Sequence, residues 1–306
     1  MLIDDVIAIL SAELPAILRW GSSIAKTLRQ YNISLTNKST GYATTDALTL
    51  ADITIQELIV GALRDMGPTI RACKIEAEEA NGPLNLFSSN SDLAIAIDPI
   101  DGTKQFRDHS GNGYAIMVHV RDASQVYYSL CIMPETGAHG TWLEAKSGHV
   151  VTGPDDPLQP ARLILNQLTK RTKITANPAK KIYMINFLEQ DSEKAALVNS
   201  IGLDAVLPDD MPGSIYPLLA SGEFAGSLIH TPNIYDYPVS MHIAREFGGD
   251  SLWVHNNQPV NFQQTWLDER AGMLRLPGII ATSPYPEVLQ QLTNLAQCWD
   301  QNRYRN

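Results

Sequence analysis

Cysteine is scarce in this chain, basic residues are fewer than acidic ones, and no long apolar run is present; each shortage excludes a class of protein. Cys73, Cys131 and Cys298 are odd in number and far apart, with no C-x-x-C pair, so they describe neither a disulfide framework nor a zinc ribbon. Buried reduced thiols are expected instead. Lys and Arg total 23 against 33 Asp and Glu, a formal charge of −10, which argues against binding the backbone of a nucleic-acid polymer. No apolar stretch reaches the ~18 to 20 residues of a membrane-spanning helix. The opening residues, Met1-Leu2-Ile3-Asp4-Asp5, lack the basic start of a signal peptide, so cytoplasmic residence without a membrane partner is the expectation. The seven histidines show no H-E-x-x-H or comparable spacing; His119 sits in an apolar strand and reads as structural, while His230 is kept as a candidate.

What is present is an ordinary globular composition, 44% apolar over 306 residues, enough for one large core or two moderate ones. Apolar positions at helical spacing (Ile7, Leu10, Leu14, Leu18, Ile24) predict a helix or helix pair over residues 2–30, kinked or broken at Pro15. Thr49 can cap a second helix that buries Ile55, Leu58, Ile59 and Leu63 and stops at Gly67-Pro68. Residues 72–152 alternate short apolar stretches with turns, as an antiparallel meander does. The Pro- and Asp-rich run 153–160 is the best boundary, giving an N-terminal α+β domain over 1–155 and a C-terminal α/β domain over 156–306. In the second half, apolar segments at 163–165, 182–185, 205–207, 224–229 and 279–281 read as strands between helices near 191–201, 214–221, 236–247 and 286–299.

The most informative stretch is Leu93-Ala94-Ile95-Ala96-Ile97-Asp98-Pro99-Ile100-Asp101-Gly102-Thr103. An apolar run without alternation suits a strand buried on both faces, and Pro99 is expected to end it. Two carboxylates on the turn that follows repel each other unless a cation lies between them, and oxygen-only ligands favour a hard ion such as Mg2+. An ordinary polar turn is the other reading of the same residues.

Asp98-Pro99-Ile100-Asp101-Gly102-Thr103 resembles the D-P-I-D-G-T signature of the inositol monophosphatase superfamily. Three further blocks resemble that family in the same order. They are Asp46-Ala47-Leu48-Thr49-Leu50-Ala51-Asp52 for D-x-V-T-x-x-D, Glu78-Glu79 after Ala77 rather than glycine, and Tyr235-Asp236-Tyr237-Pro238-Val239 for W-D-x-A-A. Only the aspartate of the last block is retained. The D-x-D-G-T of haloacid-dehalogenase-like phosphatases is a rival, but two residues separate Asp98 from Asp101 and the motif does not close a first strand.

The resemblance implies a layered α-β-α-β-α sandwich, a homodimer, and a Mg2+-dependent phosphomonoesterase that hydrolyses a small phosphorylated metabolite with activated water. It assigns two to three Mg2+ ions to Glu78, Asp98, the Ile100 carbonyl, Asp101 and Asp236, and the activation of water to Thr103 with Asp52. Asp52 also has a structural reading, as a carboxylate favoured in the first turn of a helix. Gly102, Thr103 and Lys104 are candidates for substrate binding, and Asp46, Glu79, Lys38 and His230 are lesser ones; for Glu79 the competing reading is a solvated neighbour. Inositol-specific members carry an acidic residue seven positions before the W-D aspartate, where this chain has Ile229. Together with Lys104, that departure favours a 3'(2'),5'-bisphosphate nucleotidase or histidinol-phosphatase-like substrate over inositol phosphate. A non-catalytic protein that binds metal or phosphate on the same fold is the alternative from another class.

Overall fold

The computed structural model describes residues 3–31, 33–35, 48–174 and 179–304; Lys38 and Asp46 lie outside them. The chain begins with α1 (Ile3–Tyr31), α2 (Leu50–Asp65) and the short α3 (Pro68–Arg71). A six-stranded sheet follows, made of β1 (Lys74–Ala77), β2 (Ala94–Asp101), β3 (Ala115–Arg121), β4 (Val126–Met133), β5 (Thr141–Lys146) and β6 (His149–Pro154), with α4 (Thr103–Asp108) after β2. Its strands lie in chain order, β1 parallel to β2 and the rest an antiparallel meander. After α5 (Ala161–Gln167) come β7 (Lys181–Ile185), α6 (Asp191–Ser200), β8 (Asp204–Val206), α7 (Ile215–Ser221), β9 (Phe224–His230), α8 (Tyr237–Glu246) and β10 (Asp250–Trp253). The hairpin β11 (Trp266–Asp268) and β12 (Met273–Arg275), then β13 (Ile279–Ser283) and α9 (Pro286–Ala296), complete the described chain. The second sheet has the order β10-β13-β9-β7-β8.

Side-chain periodicity sets the layers. Val6, Leu10, Leu14 and Leu18 form one stripe of α1 and pack with Ile55 and Ile59 of α2 against Ile95, Ile97, Ile116 and Val118 on one face of the first sheet. On the other face of that sheet, residues such as Met117 of β3, Cys131 of β4 and Leu143 of β5 meet Tyr216 and Leu219 of α7 and Val239 and Ile243 of α8. On the far side of the second sheet, Ile182, Met184 and Ala281 pack on Val198 of α6 and on Leu289 and Leu292 of α9. The result is the expected α-β-α-β-α stack. Each fully buried Leu or Ile in it contributes about 1.5–3 kcal/mol.

One local expectation is narrowed and two are corrected. Of the helix or helix pair expected at the start, the single helix is present, and α1 passes through Pro15 without a break. Pro15 has no N–H for the carbonyl of Ser11, and Arg162 of α5 donates to that carbonyl instead, from Nη1 at 3.1 Å. Residues 163–165 are helical rather than a strand: Ala161, Ile164, Leu165 and Leu168 bury at i, i+3, i+4 and i+7. Finally, β2 does not stop at Pro99 but continues to Asp101 through an irregularity in its pairing with β3.

Candidate active site

That irregularity builds the acidic cluster. Asp98 pairs with Met117 and Asp101 with Ala115, so three steps along β2 match two along β3, which is a bulge of one residue. In a regular strand, side chains three residues apart point to opposite faces. The bulge at Pro99, where the missing N–H costs no ladder bond, brings both carboxylates to one side. Ile100 N–H donates to Asp98 Oδ1 at 3.0 Å and fixes the first of them.

Asp236 comes from the other half of the fold, at the start of α8, where Pro238 is tolerated because first-turn N–H groups have no helical partner. Asn233 orients it: the Asn233 Oδ1 accepts from the N–H groups of Tyr235 and Asp236, and its Nδ2 donates to Asp236 Oδ2 at 3.0 Å. Carboxylate oxygens of Asp98, Asp101 and Asp236 thereby lie within 4.8 Å of one another. Glu78 follows β1, its N–H bonded to the Ile97 carbonyl at 3.1 Å, and it lines the same cavity.

The electrostatics of the cluster demand a counter-charge. Burial, then repulsion from Glu78 and the other acids, pushes the Asp98 carboxyl well above the usual carboxylate range; burial and Asp101 do the same to Asp236. Burial raises Asp101 to about 6, against the lowering effect of a hydrogen bond that Tyr216 donates to its Oδ2 at 2.9 Å. A donor set made only of oxygens, too crowded to stay ionised alone, fits a hard divalent cation.

Thr103 opens α4 just after Gly102, whose φ of 83° is the left-handed conformation that glycine adopts without strain. The Thr103 hydroxyl lies 2.8 Å from the Ile100 carbonyl and 3.2 Å from Asp52 Oδ1. Asp52 serves two partners. Its Oδ2 accepts from the Thr49 N–H at 2.7 Å and the Thr49 hydroxyl at 2.6 Å, the capping box of α2, so its structural reading is realised while Oδ1 stays turned to Thr103. Burial first, with help from Glu78, raises the Asp52 carboxyl to about 7.

The remaining candidates separate. Glu79 is not a solvated neighbour: it is 7% exposed, and Gln56 clasps its backbone N–H and carbonyl. Lys104 stands at the cavity rim with its Nζ 3.5 Å from the exposed carboxylate of Asp209. His230 is turned into the protein, its ring within hydrogen-bond reach of Thr231 Oγ1 and the Asp300 carbonyl and edge-on to Phe187; burial lowers it to about 4. Its neighbour Ile229 lines the cavity instead. The sequence reading missed Tyr216, Asn233 and Arg275, all of which line the cavity. Asn233, three residues before Asp236, carried a local signal as an Asx-turn former.

Five layers with an all-oxygen carboxylate cluster at the end of β2 describe a phosphatase of the inositol monophosphatase type. The chain belongs to the inositol monophosphatase family, whose sequence model matches residues 9–294, and it is accordingly a phosphoric monoester hydrolase. Among solved structures it is similar to the extragenic suppressor protein suhB from Bartonella henselae (14% identity, 97% of this chain and 100% of that one, TM-score 0.66). It is also similar to CysQ from Bacteroides thetaiotaomicron (15% identity, 90% and 98%, TM-score 0.62). An IMPase/NADP phosphatase complexed with Mg2+ and phosphate matches comparably (14% identity, 97% and 95%, TM-score 0.65). At these identities the likeness is one of fold. No curated protein gives a significant match. Among the described residues, no helix is long and apolar enough to cross a membrane.

Proposed function

We propose that this enzyme is a Mg2+-dependent phosphomonoesterase that hydrolyses a small phosphorylated metabolite by direct attack of water. The observation that carries the reading is the convergence of Asp98, Asp101 and Asp236 within 4.8 Å, beside the Thr103–Asp52 pair. When bound by Glu78, Asp98, the Ile100 carbonyl, Asp101 and Asp236, two to three Mg2+ ions supply Lewis acidity for the ester and acidify the attacking water.

The chain's own residues handle the proton. A threonine hydroxyl is too weak a base to act unaided, so Thr103 orients the water and Asp52 Oδ1 receives the proton through it. An Asp52 carboxyl near 7 is matched to that task. The single Thr103 proton can point to the Ile100 carbonyl at rest and to Asp52 in the reaction, and the carbonyl has two lone pairs, so it can hold a cation in either case. Gly102 allows the ester phosphate to approach the backbone closely. No covalent intermediate is needed.

A second reading concerns the substrate. Ile229 presents an apolar wall where a hydroxyl-binding carboxylate would favour inositol, which supports a substrate with a further charged group, as in a bisphosphate nucleotide or histidinol phosphate. The test is phosphate release from inositol phosphates, sugar phosphates, adenosine 3',5'-bisphosphate and histidinol phosphate with Mg2+. Turnover of none of them, with retained binding, would instead support a non-catalytic phosphate-binding protein.

A further inference from the structure

Two cationic side chains line the cavity among the described residues, Lys104 and Arg275. They differ in how they are held. Lys104 is a flexible rim residue whose charge faces Asp209, itself 89% exposed, so solvent and salt screen the pair. Arg275, at the end of β12, is 3% exposed and fixed from two sides. Its Nε donates to Asp268 Oδ2 at 2.7 Å and its Nη1 to the Thr231 carbonyl at 3.1 Å. Its Nη2 makes no hydrogen bond to any described residue.

Asp268 is in turn immobilised by the segment that follows α9. The Tyr304 hydroxyl donates to Asp268 Oδ2 at 2.9 Å, and Arg303 Nε lies 3.7 Å from the same oxygen. Arg303 Nη1 also donates to Thr231 Oγ1 at 3.1 Å. Two buried guanidinium groups therefore share one carboxylate behind the cavity wall, and burial first, then the Arg275 charge, lowers the proton affinity of Arg303. Asn233 links this wall to the acidic cluster, since it pairs with Arg275 through the backbone and holds Asp236 through its side chain. Arg275 lines the cavity with Nε and Nη1 already held, and a guanidinium fixed in this way is suited to an oxyanion, because little entropy is lost on binding.

We propose that Arg275 is the specificity-determining residue that receives a second phosphate of the substrate through Nη2, with Asp268, Arg303 and Tyr304 as the residues that position it. The proposal rests on the phosphomonoesterase reading and deepens it. Asp268 withholds Nε from the ligand and fixes the plane of the fork, so the second phosphate meets a single nitrogen of set direction.

The experiment compares adenosine 3',5'-bisphosphate with adenosine 3'-phosphate, which differ by one phosphate, in the native enzyme, R275Q and R275K. The native enzyme should favour the bisphosphate in kcat/KM by about ten- to hundredfold, the range that a charge-assisted hydrogen bond to one group supplies. R275Q should lose that preference, its KM rising for the bisphosphate by about ten- to hundredfold more than for the monophosphate. R275K, which keeps the charge without the fork, should fall between. An equal loss on both substrates, or an unchanged ratio, overturns the proposal. If R275Q fails to fold, R275K alone decides, because it leaves Asp268 a cationic partner. If the native enzyme hydrolyses neither compound, the phosphomonoesterase reading fails separately, and calorimetric titration of both compounds in Mg2+ still reads the Arg275 contribution: equal affinities in native protein and R275K overturn it.

Discussion

The hydroxyl oxygen of Thr103 lies 3.2 Å from Oδ1 of Asp52, across 51 residues of sequence, while Oδ2 of the same carboxylate caps α2. One side chain thus anchors a helix and, in the mechanism proposed, takes the proton that Thr103 passes on. Asp52→Asn and Thr103→Ala should each lower kcat by about 10²–10⁴-fold with KM nearly unchanged. Because the two groups act in series on one proton, the double variant should be no slower than the worse single one. Defects that multiply in steady-state assays would show that they do not act as a unit.

Mg2+ should stabilise the fold more as pH rises. The sign follows from carboxyls held above the unfolded value of 3.8, Asp101 at about 6 and Asp98 and Asp236 raised, chiefly by burial. Without metal, the folded state holds protons that the unfolded state has lost, so the contribution of these groups to stability falls as pH rises through that window. Mg2+ needs them ionised and must displace protons at low pH. Thermal melts with and without Mg2+ should therefore diverge from pH 5.5 to pH 8, toward about 2.7 kcal/mol at a hundredfold excess over the dissociation constant. A pH-independent gap would contradict the ligand set.

Tyr216→Phe removes the hydroxyl that donates to Asp101 Oδ2 at 2.9 Å and leaves the ring in the core. The apparent Mg2+ affinity should fall about ten- to hundredfold, with kcat at saturating Mg2+ close to native. A titration of activity against Mg2+ reads both quantities, and an unchanged midpoint would make the hydroxyl irrelevant to the site.

Asp98 stands within the carboxylate cluster, whereas Glu79, though buried, is not among the residues lining the cavity. Asp98→Asn should therefore cost at least about tenfold more activity than Glu79→Gln. Equal losses in parallel assays would remove the distinction between the two acids.

Part of this site was legible from local constraints, and the rest, Glu78, Thr103 and Asp236 among it, only from the resemblance of four blocks to the family. Two carboxylates three residues apart call for a cation, and a threonine before a helical pattern reads as a cap; the acids converge at Asp98/Asp101, in a bulged strand rather than a turn, and the cap is present at Thr49. The bulge at Pro99 was not legible, because proline signals a strand end as readily as an irregularity. Tyr216 looks like a core aromatic of an amphipathic helix, and only tertiary packing brings it to Asp101, 115 residues away. Arg275 escaped for a similar reason, since β11 and β12 are three residues each, too short for an alternation to register.

The most direct test of the account is phosphate release by the purified enzyme from a phosphomonoester it hydrolyses, followed through removal and return of the metal. Activity should vanish in excess chelator, return on adding Mg2+, and fail to return in Asp98→Asn at the same Mg2+ concentration. Full turnover in excess chelator would contradict a mechanism built on the Asp98–Asp101–Asp236 cluster.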